Sequence, residues 1–133
     1  MMMRALGRVG PLIALAAAIG AGPLAGQQAD TAKAFRDSVT ARTQAIAVGR
    51  HVFRSVGTCT ACHGVKLEGG PIAPTLRAHK WRNGDGSLEM ILRVLHNGVP
   101  KTAMVAHPGN INEDQLQAVA DYVWAVSRGA VAP

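Results

Sequence analysis

Apolar side chains recur at helical spacing in three stretches of the chain. Between Thr43 and Val56, the residues Ala45, Val48, Gly49, Val52, Phe53 and Val56 fall on one stripe, and Phe35, Val39 and Ile46 continue it approximately. From Ser87 to Asn97 the stripe is Leu88, Ile91, Leu92 and Leu95, with Ser87 placed as a cap, Glu89 in the first turn and Gly98 as a stop. From Glu113 to Arg128 it is Leu116, Val119, Ala120, Val123 and either Val126 or Ser127. Asn112 followed three residues later by Gln115 is a capping-box pattern, and Gly129 ends the helix. No segment alternates as a strand does, and no internal repeat is present. The pattern predicts an all-α chain whose helices are joined by two long segments rich in Gly, Pro and Asn, residues 64–86 and 98–112. Irregular loops of this length in a small domain need a reason, and a large ligand for them to wrap would supply one.

The N-terminal region has a different character. Arg4 and Arg8 precede an apolar run from Pro11 to Ile19 that fades through small residues to Ala25, and the first acidic residue is Asp30. This is the layout of a secretory signal peptide, with cleavage expected between Gly22 and Ala29. Retention as a membrane anchor is the alternative, which the short span from Val9 to Ala25 and its Gly and Pro content disfavour. The expected organisation is a signal peptide at 1–26, an N-terminal extension at 27–42 and one domain at 43–130. Export implies a periplasmic location, with membrane association only if the leader is retained. Loss of the leader takes two arginines and no acid, so the net charge falls from +6 to about +4. With no dense Lys/Arg block and few aromatics, a nucleic-acid surface is not indicated. The positive excess suits acidic protein partners through long-range steering, or is ordinary solubilising charge.

The two cysteines lie in "GTCTACHG", residues 57–64. A disulfide between them would close a very small loop and stabilise little. On a helical turn Cys59, Cys62 and His63 share one face. C-x-x-C-H is the c-type haem attachment signature, in which two thiols form thioethers to the porphyrin and the adjacent imidazole reaches the iron. A thioredoxin-like redox pair would need a βαβ context and has no use for His63. A structural zinc site would need a second Cys/His pair, whereas His79, His96 and His107 are scattered.

Over roughly Ala45 to Arg128 the chain resembles a class I c-type cytochrome. Gly49 and Phe53 are similar to the glycine and aromatic that pack on the last helix in this family, and Leu116, Val119, Tyr122 and Val123 match that helix's own pattern. "PIAPTL" supplies Pro74 where the family has a proline whose carbonyl orients the proximal imidazole, with Pro71 as a competitor; "GVPKTAM" resembles the axial-methionine loop and puts Met104 across the iron. The chain departs from the family in the six-residue step from Phe53 to Cys59 and in "MVAHPG" where an MPxF-like sequence is common.

The resemblance implies a cytochrome c fold, with three to five helices and long loops around one haem c attached through two thioethers. His63 and Met104 become its axial ligands. Met90 reads as core filler. His107 is the rival distal ligand, three residues from Met104, while His51, His79 and His96 read as surface or satisfied histidines. Two roles are open for Trp81: a hydrogen-bond donor to a propionate, or an apolar plug over the haem edge. Arg77, Lys80 or Arg82 would balance propionate charge. Lys66 and Lys101 are either part of a docking surface or simply solvated. Tyr122 and Trp124 read as packing residues.

With both axial positions filled by protein, the implied function is single-electron transfer between redox protein partners, with no residue needed as a general acid or base and hence no enzyme activity of its own. The alternatives are a haem subunit of a larger dehydrogenase or terminal oxidase complex, or an open-site haem enzyme or gas sensor.

Overall fold

A computed structural model describes residues 24–77 and 81–133. The expected leader therefore lies almost wholly outside the described residues, as do His79 and Lys80. Among the described residues four α-helices follow in order: α1 (Leu24–Arg54), α2 (Thr60–His63), α3 (Leu88–Asn97) and α4 (Glu113–Ser127). A short 3₁₀ turn, Pro108–Asn110, precedes α4. No strand occurs among the described residues.

The first helix starts far earlier than its apolar stripe. Residues 26–44 are exposed throughout, so this stretch is held by local forces. Lys33 pairs with Asp37 one turn on at 2.6 Å, and the hydroxyls of Thr31, Thr40 and Thr43 bond back to carbonyls four residues earlier. Alanine, glutamine, lysine and arginine dominate the segment and have high intrinsic helix propensity. Phe35 and Val39, expected to extend the buried stripe, are 68% and 49% exposed. The helix reaches the domain at Arg42, whose guanidinium lies 3.3 Å from Asp121 and 5.0 Å from the centre of the Trp124 ring.

From there α1 crosses α4 at close range. Gly49 is buried, and a Cβ at that position would collide with the Ala118 carbonyl and come within 2.8 Å of the Tyr122 Cβ. The absence of a side chain lets the two backbones approach, and one turn later the Phe53 and Tyr122 rings meet edge-on with centroids 5.7 Å apart. Val52 and Phe53 are fully buried, while Val48 and Val56, expected on the same stripe, remain about half exposed.

The other two long helices begin and end where local signals put them. The Ser87 hydroxyl accepts from the Met90 amide at 3.1 Å. At α4 the Asn112 side chain accepts from the Gln115 amide at 2.9 Å, and the Gln115 side chain accepts from the Asn112 amide at 3.0 Å, a reciprocal capping box. Asn112→Ala removes the acceptor for one helix-end amide and is expected to cost about 1 kcal/mol, read as a lower midpoint in a urea titration. α4 is the centre of the domain. It packs on α1 along one side and on α3 along another, and its buried face, which includes Leu116, Val119, Tyr122, Val123 and Val126, is wider than a single amphipathic stripe. No helix among the described residues is long and apolar enough to cross a membrane.

Candidate functional site

The site begins where α1 stops. Gly57 is buried with its amide on the Val52 carbonyl at 2.9 Å, and Thr58 takes a left-handed backbone conformation, turning the chain sharply into α2. α2 is one turn long, closed by the His63 amide on the Cys59 carbonyl at 2.9 Å. That turn places Cys59, Cys62 and His63 on one wall of a cavity of about 300 Å³. The rest of the wall is largely apolar: Phe53 from α1, Met90, Ile91 and Leu95 from α3, and Val119 and Val123 from α4.

The imidazole of His63 is aimed by the following loop. Its Nδ1 lies 3.0 Å from the Pro74 carbonyl. A carbonyl oxygen only accepts, so Nδ1 carries the proton and Nε2 is left with its lone pair free. Tight local bonding makes the loop a fixed mount. The Gly69 amide donates to the His63 carbonyl at 2.7 Å, and the Leu76 amide and Thr75 hydroxyl both donate to the Leu67 carbonyl. Gly69 has a φ of 79°, and a Cβ there would lie 2.6 Å from the Pro74 carbonyl carbon. Leu67 is completely buried despite a φ of 59°, anchoring the loop to the core. Pro71 is exposed and takes no part in the His63 hydrogen bond.

Met104 lines the same cavity from the 98–107 loop. That loop folds back on itself through the Val99 amide to the Met104 carbonyl at 2.8 Å and the Met104 amide to the Thr102 hydroxyl at 3.1 Å. His107 lies on the same loop but does not line the cavity. Its Nε2 is 3.1 Å from the Glu113 carboxylate, with the ring beside His96. His51 is exposed on α1.

Met90 is 3% exposed, and besides filling the core it forms part of the cavity wall. Trp81 is half-buried on that wall with Gly86 against its indole, where any Cβ would collide with the ring nitrogen. Arg82 and Asn83 contribute polar atoms there, and Asn83 is a lining residue that helical periodicity could not single out. Arg77, Lys66 and Lys101 are exposed. Tyr122 is fully buried against Phe53, and the guanidinium groups of Arg42 and Arg128 both lie within 5.6 Å of the Trp124 ring centre.

Burial pushes the Cys59 thiol up to about 11, with the neighbouring Cys62 adding to the rise against the lowering effect of a backbone hydrogen bond. At neutral pH it is a protonated thiol, and its hydrogen lies toward the Gly57 carbonyl at 3.3 Å. Fast thiol–disulfide exchange calls for a lowered thiol pKa, so burial of Cys59 works against exchange at that sulfur. The residues present fit a haem group. The cavity is apolar, two thiols lie on one wall, an imidazole with a free Nε2 stands beside them, and a thioether comes from a separate loop.

Helices packed around an apolar cavity that carries a C-x-x-C-H turn are the arrangement of a c-type cytochrome domain. The sequence profile described as "Cytochrome C oxidase, cbb3-type, subunit III" matches residues 44–123, and the chain belongs to this family of class I c-type cytochrome domains. It is 40% identical over 80 residues to cytochrome c6 of Leptolyngbya boryana, covering 58% of this chain and 87% of that protein. It is 32% identical over 94 residues to the cbb3-type cytochrome c oxidase subunit CcoP of Azospirillum sp. (strain B510), covering 62% of this chain and 31% of that one. The chain thus spans about a third of the length of the CcoP subunit it matches. No solved structure matches it.

Proposed function

We propose that this chain is an exported single-electron carrier, with haem c held by thioethers from Cys59 and Cys62 and by axial ligation from His63 and Met104. The observation that carries the proposal is the His63–Pro74 hydrogen bond, which leaves Nε2 free in a cavity that Met104 enters from another loop. Haem bound here supplies an iron that cycles between ferric and ferrous states. The Pro74 carbonyl holds one imidazole tautomer and raises its basicity as a ligand. The Met104 thioether is a soft ligand that favours ferrous iron and so raises the potential. Phe53, Ile91, Leu95, Val119 and Val123 exclude water from the cavity, which lowers the local dielectric and the reorganisation accompanying charge transfer. Trp81 closes a further part of the wall.

Ile72 and Val105 line the cavity yet are 72% and 58% exposed, marking its rim as an apolar contact patch. With Lys66, Lys101 and Arg82 also exposed, this rim suits a redox partner with an acidic docking surface. The organisation that accompanies this reading is a leader at 1–26, an extension at 27–42 and the haem domain at 43–130, located in the periplasm. Similarity to CcoP favours a second reading, a haem subunit of an oxidase complex. Stoichiometric co-purification with a large partner separates that from a free shuttle.

Met104→Ala tests the ligand set. In the oxidised native protein the weak charge-transfer band of iron–methionine ligation is expected, and the variant should lose it, bind carbon monoxide when reduced, and fall in potential by on the order of 0.1 V, within the span that axial ligands control. An unchanged spectrum and potential would remove Met104 from the ligand set.

A further inference from the structure

His96, His107 and Glu113 converge on the surface, outside the cavity. One is in the last turn of α3, one is in the loop that carries Met104, and one is the first residue of α4. The Glu113 carboxylate oxygens lie 3.1 Å from His107 Nε2 and 3.5 Å from His96 Nε2. All three ligand atoms fall within 4.8 Å of one another. The edge of a tetrahedron around zinc, with metal–ligand distances near 2.0–2.1 Å, is roughly 3.3 Å, and each imidazole nitrogen is near that distance from one oxygen of the carboxylate, His107 from Oε1 and His96 from Oε2.

We propose that these three side chains form a surface site for a divalent first-row transition-metal ion, of which zinc is the simplest example. Two imidazoles and one carboxylate match the ligand preference of zinc, copper(II) or nickel(II) rather than calcium or magnesium, which take all-oxygen sets. The side chains of His96 and His107 are 40% and 39% exposed, so solvent reaches the site and a water completes the coordination.

The backbone arranges the ligands. The His107 amide donates to the Leu95 carbonyl at 2.9 Å, which pins the loop against the end of α3 and sets the two rings side by side with centroids 5.5 Å apart. His107 itself has φ 44° and ψ 58°, a left-handed conformation that few side-chain-bearing residues adopt. The Asn110 amide on its carbonyl at 2.9 Å helps to hold it there. Glu113 is the first residue of α4. A metal ion here ties α3, the 98–107 loop and α4 together, three residues along the chain from Met104. The site stands on its own geometry and does not depend on the electron-transfer reading.

Zinc is the appropriate probe because it has no redox chemistry of its own to confuse with that of haem. In calorimetric titration of the haem-loaded protein with zinc chloride, one site is expected, and zinc is expected to raise the thermal midpoint. His96→Ala and His107→Ala should each weaken binding by roughly tenfold or more and abolish the thermal shift. Glu113→Gln, which keeps a hydrogen-bonding side chain without the charge, should weaken binding as well. Each variant's visible spectrum in chelator, matching that of the parent, certifies its fold. Absence of zinc binding to the parent protein would show that the three groups form only a hydrogen-bonded cluster, and undiminished binding in both histidine variants would place the metal elsewhere; either result overturns the proposal.

Discussion

Cys59→Ala combined with Cys62→Ala is expected to yield a protein whose colour is entirely removed by acid-acetone extraction and whose helical content falls once the haem is lost. The cavity explains the size of the effect. Phe53, Ile91, Leu95, Val119 and Val123 all face it, and they come from all three of the long helices. Burying a side chain of this kind is worth about 1.5–3 kcal/mol. Wetting several of them at once removes stabilisation comparable to the whole net stability of a typical domain, about 5–15 kcal/mol. His63 and Met104 remain in the double variant and can hold haem reversibly, so the decisive reading is extraction rather than colour alone. Circular dichroism before and after extraction then reports how far the helices depend on a filled cavity. Colour that stayed with the polypeptide through extraction would mean that the two cysteines are not the points of attachment.

The other large effect is expected at a residue that touches no ligand. Gly49→Val should lower the unfolding free energy by about 3 kcal/mol or more, at the upper end of what overpacking costs. A Cβ at that position meets the Ala118 carbonyl and the Tyr122 Cβ, which belong to the backbone and stem of α4 and have no rotamer by which to yield. Two opposing terms can be weighed through Gly49→Ala. Alanine is favoured over glycine in a helix by about 1 kcal/mol, yet the clash arises from the Cβ itself, so even alanine should be destabilising. Parting α1 from α4 also loosens the edge-on contact of Phe53 with Tyr122. Urea titrations of the two variants, with the slope checked for constancy, measure both terms. A valine variant that unfolded at the parent's urea concentration would show that the helices do not cross as closely as described.

These two sites illustrate different kinds of legibility. Cys59, Cys62 and His63 could be read as a unit because one helical turn brings i, i+3 and i+4 together whatever surrounds it. The boundaries of α3 and α4 were legible for the same reason, since Ser87, Asn112 and Gln115 satisfy amides within their own first turn. Gly49 was legible as a stripe position and, by resemblance, as a packing glycine; its physical role rests on α4, some seventy residues away in the chain. In α1 the continuation of the stripe through Phe35, Val39 and Ile46 pointed to a start earlier than Thr43, and the helix does begin earlier, but its packing was not legible. Apolar periodicity locates the part of a helix that packs, and residues 26–41 are helical without packing, so Phe35 and Val39, which continue the apolar stripe, are exposed. Val48 is about half exposed on α1, and Val56, also half exposed, lies past the end of the helix at Arg54.

By itself, then, the amino-acid order determined an all-α chain with a C-x-x-C-H turn and two capped helices, since each of these depends on interactions within a few residues. Tertiary structure decided the rest of the site. The Pro74 carbonyl rather than Pro71 reaches His63 because a left-handed Gly69 and a buried Leu67 fold the loop that way. Likewise Met104 faces the cavity while His107 turns to Glu113, since the loop is pinned to Leu95 and its end is twisted into a left-handed backbone. Loop conformations of this kind are set by contacts with distant parts of the chain, which is why no local pattern announces them.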